Sequence, residues 1–520
     1  MSMAKYAADL REGERAYLAA ESLLAMAAQT RPELLAGARA ERERAEWCWA
    51  MLGDHAWNGT DAINQQVNAD LRREWSTELI RTGKSLQEQA WAGLGPNPGR
   101  NGIVLFNSLS FARPGLVRMV APAGVSGVLA GGTSLPAQWI EEDGREMLYF
   151  VSPVVGGFGF KTLQLKTGPR SSTRGDKLRA TATELESPYY RLKVDLQTGG
   201  ISSLIHKATG TELVMGNAGR TLAQTVYFDG QEHTLTGVNS EVAAIGPTLA
   251  QLRITGTVSG ISVDSFVTVY AGLDRVDLDL HIKKPVSTQQ QRLCQVFPVV
   301  RAGAVERIET TGAVIRPFPQ PEGDLLPGAD TRRFAVQGFV DVSLPEGLGV
   351  TIATLDAFAL RQDLQPLTFE ALGNDQDYQE VTRDQDKVTS FRFRYSLCAH
   401  ATRHNGSEAL AWSRSLATPL LVGGGSLPHG ECTVPSMGAD PRRVIATSLK
   451  PADDPARGGR ILRLWEVGGQ SGPVSVTVRG YRRAFRTDLL ERDIEELQIE
   501  NGKVVFNLRA HSFGALRLQP

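Results

Sequence analysis

Arg275-Val-Asp-Leu-Asp-Leu-His-Ile-Lys283 alternates polar and apolar side chains from end to end. Successive side chains of a β-strand point to opposite faces, so this stretch buries Val276, Leu278, Leu280 and Ile282 and wets its other side. Such strands build antiparallel sandwiches, whereas strands of a parallel sheet covered on both faces read as unbroken apolar runs. Phe391-Arg-Phe-Arg-Tyr395 and Val474-Ser-Val-Thr-Val478 repeat the pattern. Glu500-Asn-Gly-Lys503, set between apolar runs, predicts a type I′ hairpin turn, because Asn and Gly tolerate the positive φ that both central positions need. No βαβ alternation is evident, so neither a parallel barrel nor a dinucleotide fold is expected within this chain.

Upstream the period changes to that of a helix. Tyr6, Leu10, Gly13, Tyr17, Ala20 and Leu24 recur at spacings of four and three, which places them on one face. Thr30-Arg-Pro-Glu33 has the form of a capping box, with Pro32 near the first turn of a second helix that runs through Arg39–Glu46 to Trp47 and Trp49. Thr60 or Asp61 is placed to cap a third, in which Ile63, Val67, Leu71, Trp75 and Leu79 repeat every fourth residue. Short connections make these an antiparallel bundle. Gly93-Leu-Gly-Pro-Asn-Pro-Gly99 ends the helical region, and further breaks fall at Pro169–Asp176 and Gly423–Pro441. The expected class is α+β, mostly β. A three-helix bundle (1–95) precedes a small β-sandwich (96–185), a large supersandwich (186–430) that resembles the galactose-mutarotase-like kind, and a C-terminal sandwich (431–520).

Composition narrows the function. Lys and Arg total 56 against 57 Asp and Glu in 520 residues, which leaves a formal charge of −1 and no basic excess for nucleic acid or an anionic membrane. No apolar run approaches the roughly 18 residues that span a bilayer, and the charged start MSMAKYAADLREGE has no signal-peptide core; the expectation is a cytoplasmic protein. Cys48, Cys294, Cys398 and Cys432 lie too far apart for a zinc ribbon or redox pair, and four in this length make no disulfide framework.

Several strings, in order, resemble the C-terminal two-thirds of family 38 glycoside hydrolases, the retaining α-mannosidases. They are Leu52-Gly-Asp54-His55-Ala-Trp57-Asn-Gly59-Thr60, Ile103-Val-Leu-Phe-Asn107-Ser-Leu-Ser-Phe111, and Ser187-Pro-Tyr-Tyr-Arg-Leu-Lys-Val-Asp195 with Thr198-Gly-Gly-Ile-Ser-Ser-Leu204. Near the end come Ile461-Leu-Arg-Leu-Trp465-Glu466-Val-Gly468, Asp488-Leu-Leu-Glu491 and Phe513-Gly-Ala-Leu-Arg-Leu518. The resemblance implies hydrolysis of α-mannosides. It also implies that an α/β barrel, which in the family supplies the nucleophilic Asp, the acid/base Asp and a His-x-Asp pair of zinc ligands, lies outside this chain. The barrel is then a separately encoded subunit, or was lost to a truncated gene or a wrong start, and the expected partners are an α-mannoside or glycan, such a separate barrel, or further copies in a homo-oligomer. The alternative is a non-catalytic sandwich protein that binds glycans or serves assembly.

Retaining hydrolysis needs two carboxyls about 5–5.5 Å apart, and no pair among the acids of this chain stands in a context that singles it out. The best candidate site is the loop between the second and third helices. In the family a histidine of this loop completes a zinc shell, which implies His55 as a metal ligand and zinc as a cofactor whose site is incomplete here. His55 is four residues before Gly59 where the family pattern has five, and Asp54 has the five-residue offset, so either could face a metal. Asp54 and Trp57 are the candidate sugar contacts, since carboxylates accept from sugar hydroxyls and indole faces stack on sugar rings. The bland alternative is a helix-terminal His bonded only to backbone. Trp75 and Trp91 are expected in the core, and Trp47 and Trp49 on different sides of their helix. His400-Ala-Thr-Arg-His404 has the i, i+4 spacing of helical metal ligands but follows a strand, so both are expected at the surface. Gly423-Gly-Gly425 lacks the Lys-Ser/Thr of a nucleotide loop.

Overall fold

The computed structural model describes residues 3–54, 61–95, 101–170, 177–215, 219–299, 303–318, 323–344, 347–362, 366–374, 377–378, 381–382, 385–401, 406–425, 427, 443–478 and 480–520. The class matches the expectation: mostly β, with helices α1 (Ala4–Ala27), α2 (Glu33–Leu52) and α3 (Ala62–Leu94) opening the chain and α4 (Ser407–Ala417) late in it. Every strand pair among the described residues is antiparallel. The chain forms two compact units, each assembled from separated segments.

The first unit comprises Met1–Glu12, Leu52–Ser76 and Thr173–His404. Its centre is a nine-stranded sheet in which Val276–Lys283 pairs with Ile261–Tyr270 on one side and Ser390–His400 on the other. Alternation sets the faces: Leu278, Leu280 and Ile282 stand opposite Tyr395, Phe393 and Phe391 in the core, while Asp279 and His281 stand opposite Arg394 and Arg392 on the other face. A six-stranded sheet supplies the facing layer. Its Phe297 and Phe369 meet Tyr395 at ring-centroid distances of 5.4 and 5.5 Å, within the range where aromatic pairs attract beyond area burial. The start of α1 is tied to this sandwich by Arg11, whose buried guanidinium donates to the carbonyls of Val336, Ala357, Thr354 and Gln337.

The second unit comprises Gly13–Met51, Thr77–Ser172 and Asn405–Pro520. Glycine lets helices meet closely here: a Cβ at Gly83 would stand 3.0 Å from backbone of Ala16 and Tyr17. Strand Gly102–Phe106 lies between Phe160–Thr167 and the late strand Leu421–Gly424. Asn107, fully buried, follows it and organises the next turn. Its Nδ2 donates to the carbonyls of Phe111 (2.8 Å), Val155 (3.2 Å) and Gly156 (3.1 Å), and its Oδ1 accepts from Leu109 N (3.2 Å) and Arg113 Nε (2.9 Å). Val444–Pro451, Arg460–Glu466, Phe513–Gln519, Arg483–Thr487 and Asp493–Leu497 form a further sheet. The type I′ turn is present, with Asn501 and Gly502 at φ 52° and 71° and reciprocal bonds between Glu500 and Lys503. It joins strands of different sheets, because Asp493–Leu497 pairs with Arg483–Thr487 and Lys503–Leu508 with Gly472–Thr477.

Local expectations at the helices divide. Asp61 does cap α3, accepting from Asn64 N at 2.9 Å. The capping box at Thr30 does not form: the Thr30 hydroxyl donates back to the Ala27 carbonyl at 3.2 Å, closing α1 rather than opening α2. The four-residue stripe on α3 is buried only at its end, with Trp75 and Leu79 in the core but Ile63 77% and Val67 50% exposed. At 3.6 residues per turn a four-residue step overshoots by about 40°, so Ile63 and Leu79 lie about 160° apart around the axis.

Candidate functional site

The α2–α3 junction belongs to the first unit. Helix α2 stops at Leu52, and Asp54 follows Gly53 with its side chain 46% exposed. His55 and Trp57 lie outside the described residues, so Asp54 is the predicted contact with a described position. Its carboxylate accepts from Arg72 Nη2 at 3.3 Å. Arg72 projects from α3 into the interior, 1% exposed, with its guanidinium carbon 5.2 Å from the centroid of the Trp75 ring. Burial works against the Arg72 charge, and Asp54 offsets it. Arg73, the next residue, turns to another set of partners: Asp70 at 2.7 Å, the Tyr6 hydroxyl at 3.1 Å, and Asp386, which the Tyr6 hydroxyl also meets. Burial, then Asp386, pushes the Tyr6 phenol well above its usual range, so it acts there as a donor.

Among the described residues, which do not include His55, the donor set does not fit a zinc site. Among the described residues no three His, Cys, Asp or Glu side chains converge as a metal requires, and Asp54 faces a fixed cation.

A second polar cluster, inside the nine-stranded sheet, corrects the reading of His400. That histidine is 10% exposed rather than at the surface, and its Nε2 lies 2.9 Å from Oδ1 of fully buried Asp341. The same carboxylate accepts from Ser343 Oγ and Thr351 Oγ1, both at 2.9 Å. His400 ends a strand whose neighbour carries Thr351, so sheet register, not i, i+4 spacing, decides its partner. Both hydroxyls donate to the carboxylate and neither to the imidazole, so this is no activated-nucleophile arrangement. Nearby Cys398 is half-buried, and desolvation there pushes its thiol up. His404 lies outside the described residues.

The tryptophans follow expectation where described. Trp75 and Trp91 are buried, Trp47 is exposed, and Trp49 turns inward to meet the Tyr17 ring edge-on at 6.1 Å. The second unit also holds a buried charge network that the sequence did not signal. Arg42 meets Glu21 at 2.7 Å, with Glu46 and Asp453 within 3.6 Å; Lys450 meets Asp453 and Glu491 at 2.6 and 2.8 Å; and the Tyr17 hydroxyl donates to Glu46 at 2.8 Å. These acids are engaged by cations, as in a structural network rather than a general-acid site. Arg72 was missed as well: in the run Leu71-Arg-Arg-Glu74 nothing distinguishes the buried arginine from its exposed neighbour.

Residues 443–512 match the family model described as the glycosyl hydrolases family 38 C-terminal beta sandwich domain. In overall structure the chain is similar to an alpha-mannosidase from Enterococcus faecalis V583, with TM-score 0.74 and 14% identity over 99% of this chain and 67% of that one. It is similar also to an Enterococcus faecalis protein in the glycosyl hydrolase family 38, with TM-score 0.72 and 14% identity over 99% of this chain and 71% of that one. No curated protein matches the chain. The chain therefore has, over nearly all of its length, the fold found in those family 38 proteins, and at residues 443–512 it carries the C-terminal β-sandwich domain of that glycoside hydrolase family.

Proposed function

We propose that this chain is the non-barrel part of a family 38-type α-mannosidase, which presents its α2–α3 junction to an α-mannoside while a catalytic barrel outside this sequence supplies the chemistry. The observation that carries the reading is the match of residues 443–512 to the family 38 sandwich, within a fold of which 99% aligns with 67% of an alpha-mannosidase. The antiparallel pairing of every described strand supports placing the barrel elsewhere, because a parallel α/β barrel needs parallel neighbours. In retaining hydrolysis one carboxyl attacks the anomeric carbon and a second protonates the leaving oxygen. Both are proposed to come from the barrel. Asp54 would accept a sugar hydroxyl, Trp57 would stack on the ring, and His55 would add at most one donor to a metal completed by other residues. The proposed domain plan is a bundle (1–95) followed by three sandwiches (96–185, 186–430, 431–520), with a cytoplasmic location. No helix among the described residues is long and apolar enough to cross a membrane.

The test is an assay of the purified chain with p-nitrophenyl α-mannoside, with and without zinc, beside calorimetry with methyl α-mannoside. The expected result is no cleavage and saturable binding at millimolar sugar. Metal-dependent turnover that disappears on changing a carboxylate within residues 1–520 would overturn the placement of the catalytic acids. Absent sugar affinity would count against the binding role of the junction.

A further inference from the structure

We infer that Arg72 is a positioning residue for Asp54: its guanidinium fixes that carboxylate as an acceptor for a sugar hydroxyl and excludes a divalent cation from it. The inference rests on the reading of the α2–α3 junction as a sugar site. The pair is anchored on one side and open on the other, since Arg72 is fully buried and Asp54 is half exposed, with Nη2 and Oδ2 3.3 Å apart. The guanidinium position is set by packing against the buried Trp75 ring, so the cation is in place independently of what binds Asp54. A guanidinium keeps its proton throughout the working range, so it cannot yield to a metal by becoming neutral.

Two consequences follow from elementary chemistry. A carboxylate has about four acceptor directions and the Asp54 side chain is 46% exposed, so a hydroxyl can donate to it while Arg72 holds its orientation. A divalent ion on the same carboxylate would stand a few ångströms from a cation that cannot move away or lose its charge. The zinc that the family resemblance implies and the geometry at Asp54 are therefore in conflict. Asp54, despite its five-residue offset from Gly59, is assigned to sugar and not to metal.

The experiment uses the full chain in five forms: natural, Asp54→Asn, Arg72→Met, Arg72→Lys, and Arg72→Met with Asp54→Asn. Zinc affinity is read by competition with a zinc-responsive dye, methyl α-mannoside affinity by calorimetry, and folding by melting curves. Asp54→Asn is expected to leave zinc affinity unchanged within about twofold, whereas Arg72→Met raises it about tenfold or more, a gain the double variant loses. Arg72→Lys, which keeps the charge, shows no such gain. For sugar, Arg72→Met weakens binding about tenfold and Arg72→Lys recovers most of it, a rescue that a purely structural role would not produce. A tenfold loss of zinc affinity on Asp54→Asn, or Arg72→Met with no gain, overturns the exclusion of metal. Equal sugar affinity in all Arg72 forms overturns the positioning role. Should Arg72→Met fail to fold, Asp54→Asn on the natural background decides the metal question alone. Absence of sugar affinity in the natural chain overturns the sugar role together with the reading it rests on, while the zinc comparison still judges the effect of Arg72 on cations.

Discussion

Asn107→Asp is the sharpest test of how the second unit holds its turn after the first strand. The change is nearly isosteric, so its cost is electronic. The Asn107 amide group donates toward three carbonyls, those of Phe111, Val155 and Gly156, and the carboxylate replaces that donor with an acceptor. Two N–H donations are lost at about 1 kcal/mol each, and buried carbonyls left facing an oxygen add about 1–3 kcal/mol more. Arg113 returns about 1 kcal/mol, because its bond to Oδ1 becomes charge-assisted. The net is about 3 kcal/mol of local destabilisation, or roughly a hundredfold in the opening equilibrium. A single unfolding free energy is poorly defined for a chain of two units, so the assay is amide exchange across Gly102–Arg113 and the paired strand Phe160–Thr167. Both segments should exchange about a hundredfold faster, and the deficit should shrink on acidification, which returns a proton and one donor to the introduced carboxyl. Exchange within a factor of about two of the natural chain would refute the reasoning, since surface changes rarely exceed ~0.5 kcal/mol.

Further outcomes are expected elsewhere. Arg42→Met should speed amide exchange in the second unit about a hundredfold, the equivalent of about 3 kcal/mol, because Glu21 is left buried beside Glu46, and Glu21→Leu added to it should recover most of the loss; a smaller effect than Glu21→Leu alone would contradict the pairing. Gly157→Ala should cost about 2–3 kcal/mol, since its Cβ would meet the Ser110 carbonyl oxygen at 2.3 Å, while Gly424→Ala, with open space around its Cβ, should melt near the natural temperature. Burial pushes the Asp279 carboxyl up, but Arg392 at 2.8 Å and His281 at 3.1 Å outweigh it and hold the group well below the usual carboxylate range. A depressed acid contributes its stability above about pH 4 and loses it as pH falls further, so Asp279→Asn should flatten the acid limb of a circular-dichroism titration; superimposable limbs would rule that out.

What the sequence revealed depended on how local each signal was. The alternation at Arg275–Lys283 is legible because strand period is a property of consecutive residues. The caps were legible only where one side chain serves its own turn, as at Asp61 but not at Thr30, whose hydroxyl had a nearer acceptor behind it. Asp341 could not be read, because two of its partners, Thr351 and His400, arrive from other strands brought alongside by register. The string around Trp465-Glu466 was recognisable as a pattern before its reason was visible. Glu466 is fully buried and accepts from the backbone N–H groups of Gly469, Gln470 and His511, which a different acid length could not reach together. Arg72 and Arg73 show the limit: adjacent identical residues, one inside and one out, separated only by helix rotation.

Strand Gly102–Phe106 receives its neighbour Leu421–Gly424 roughly 300 residues later. During synthesis the ribosome must deliver most of the polypeptide before that sheet can close, and until then the early strand presents an open edge able to recruit other nascent chains. Expression cut short ahead of the late strand should therefore give inclusion bodies in place of a smaller soluble product, and slower translation should raise the demand for chaperones.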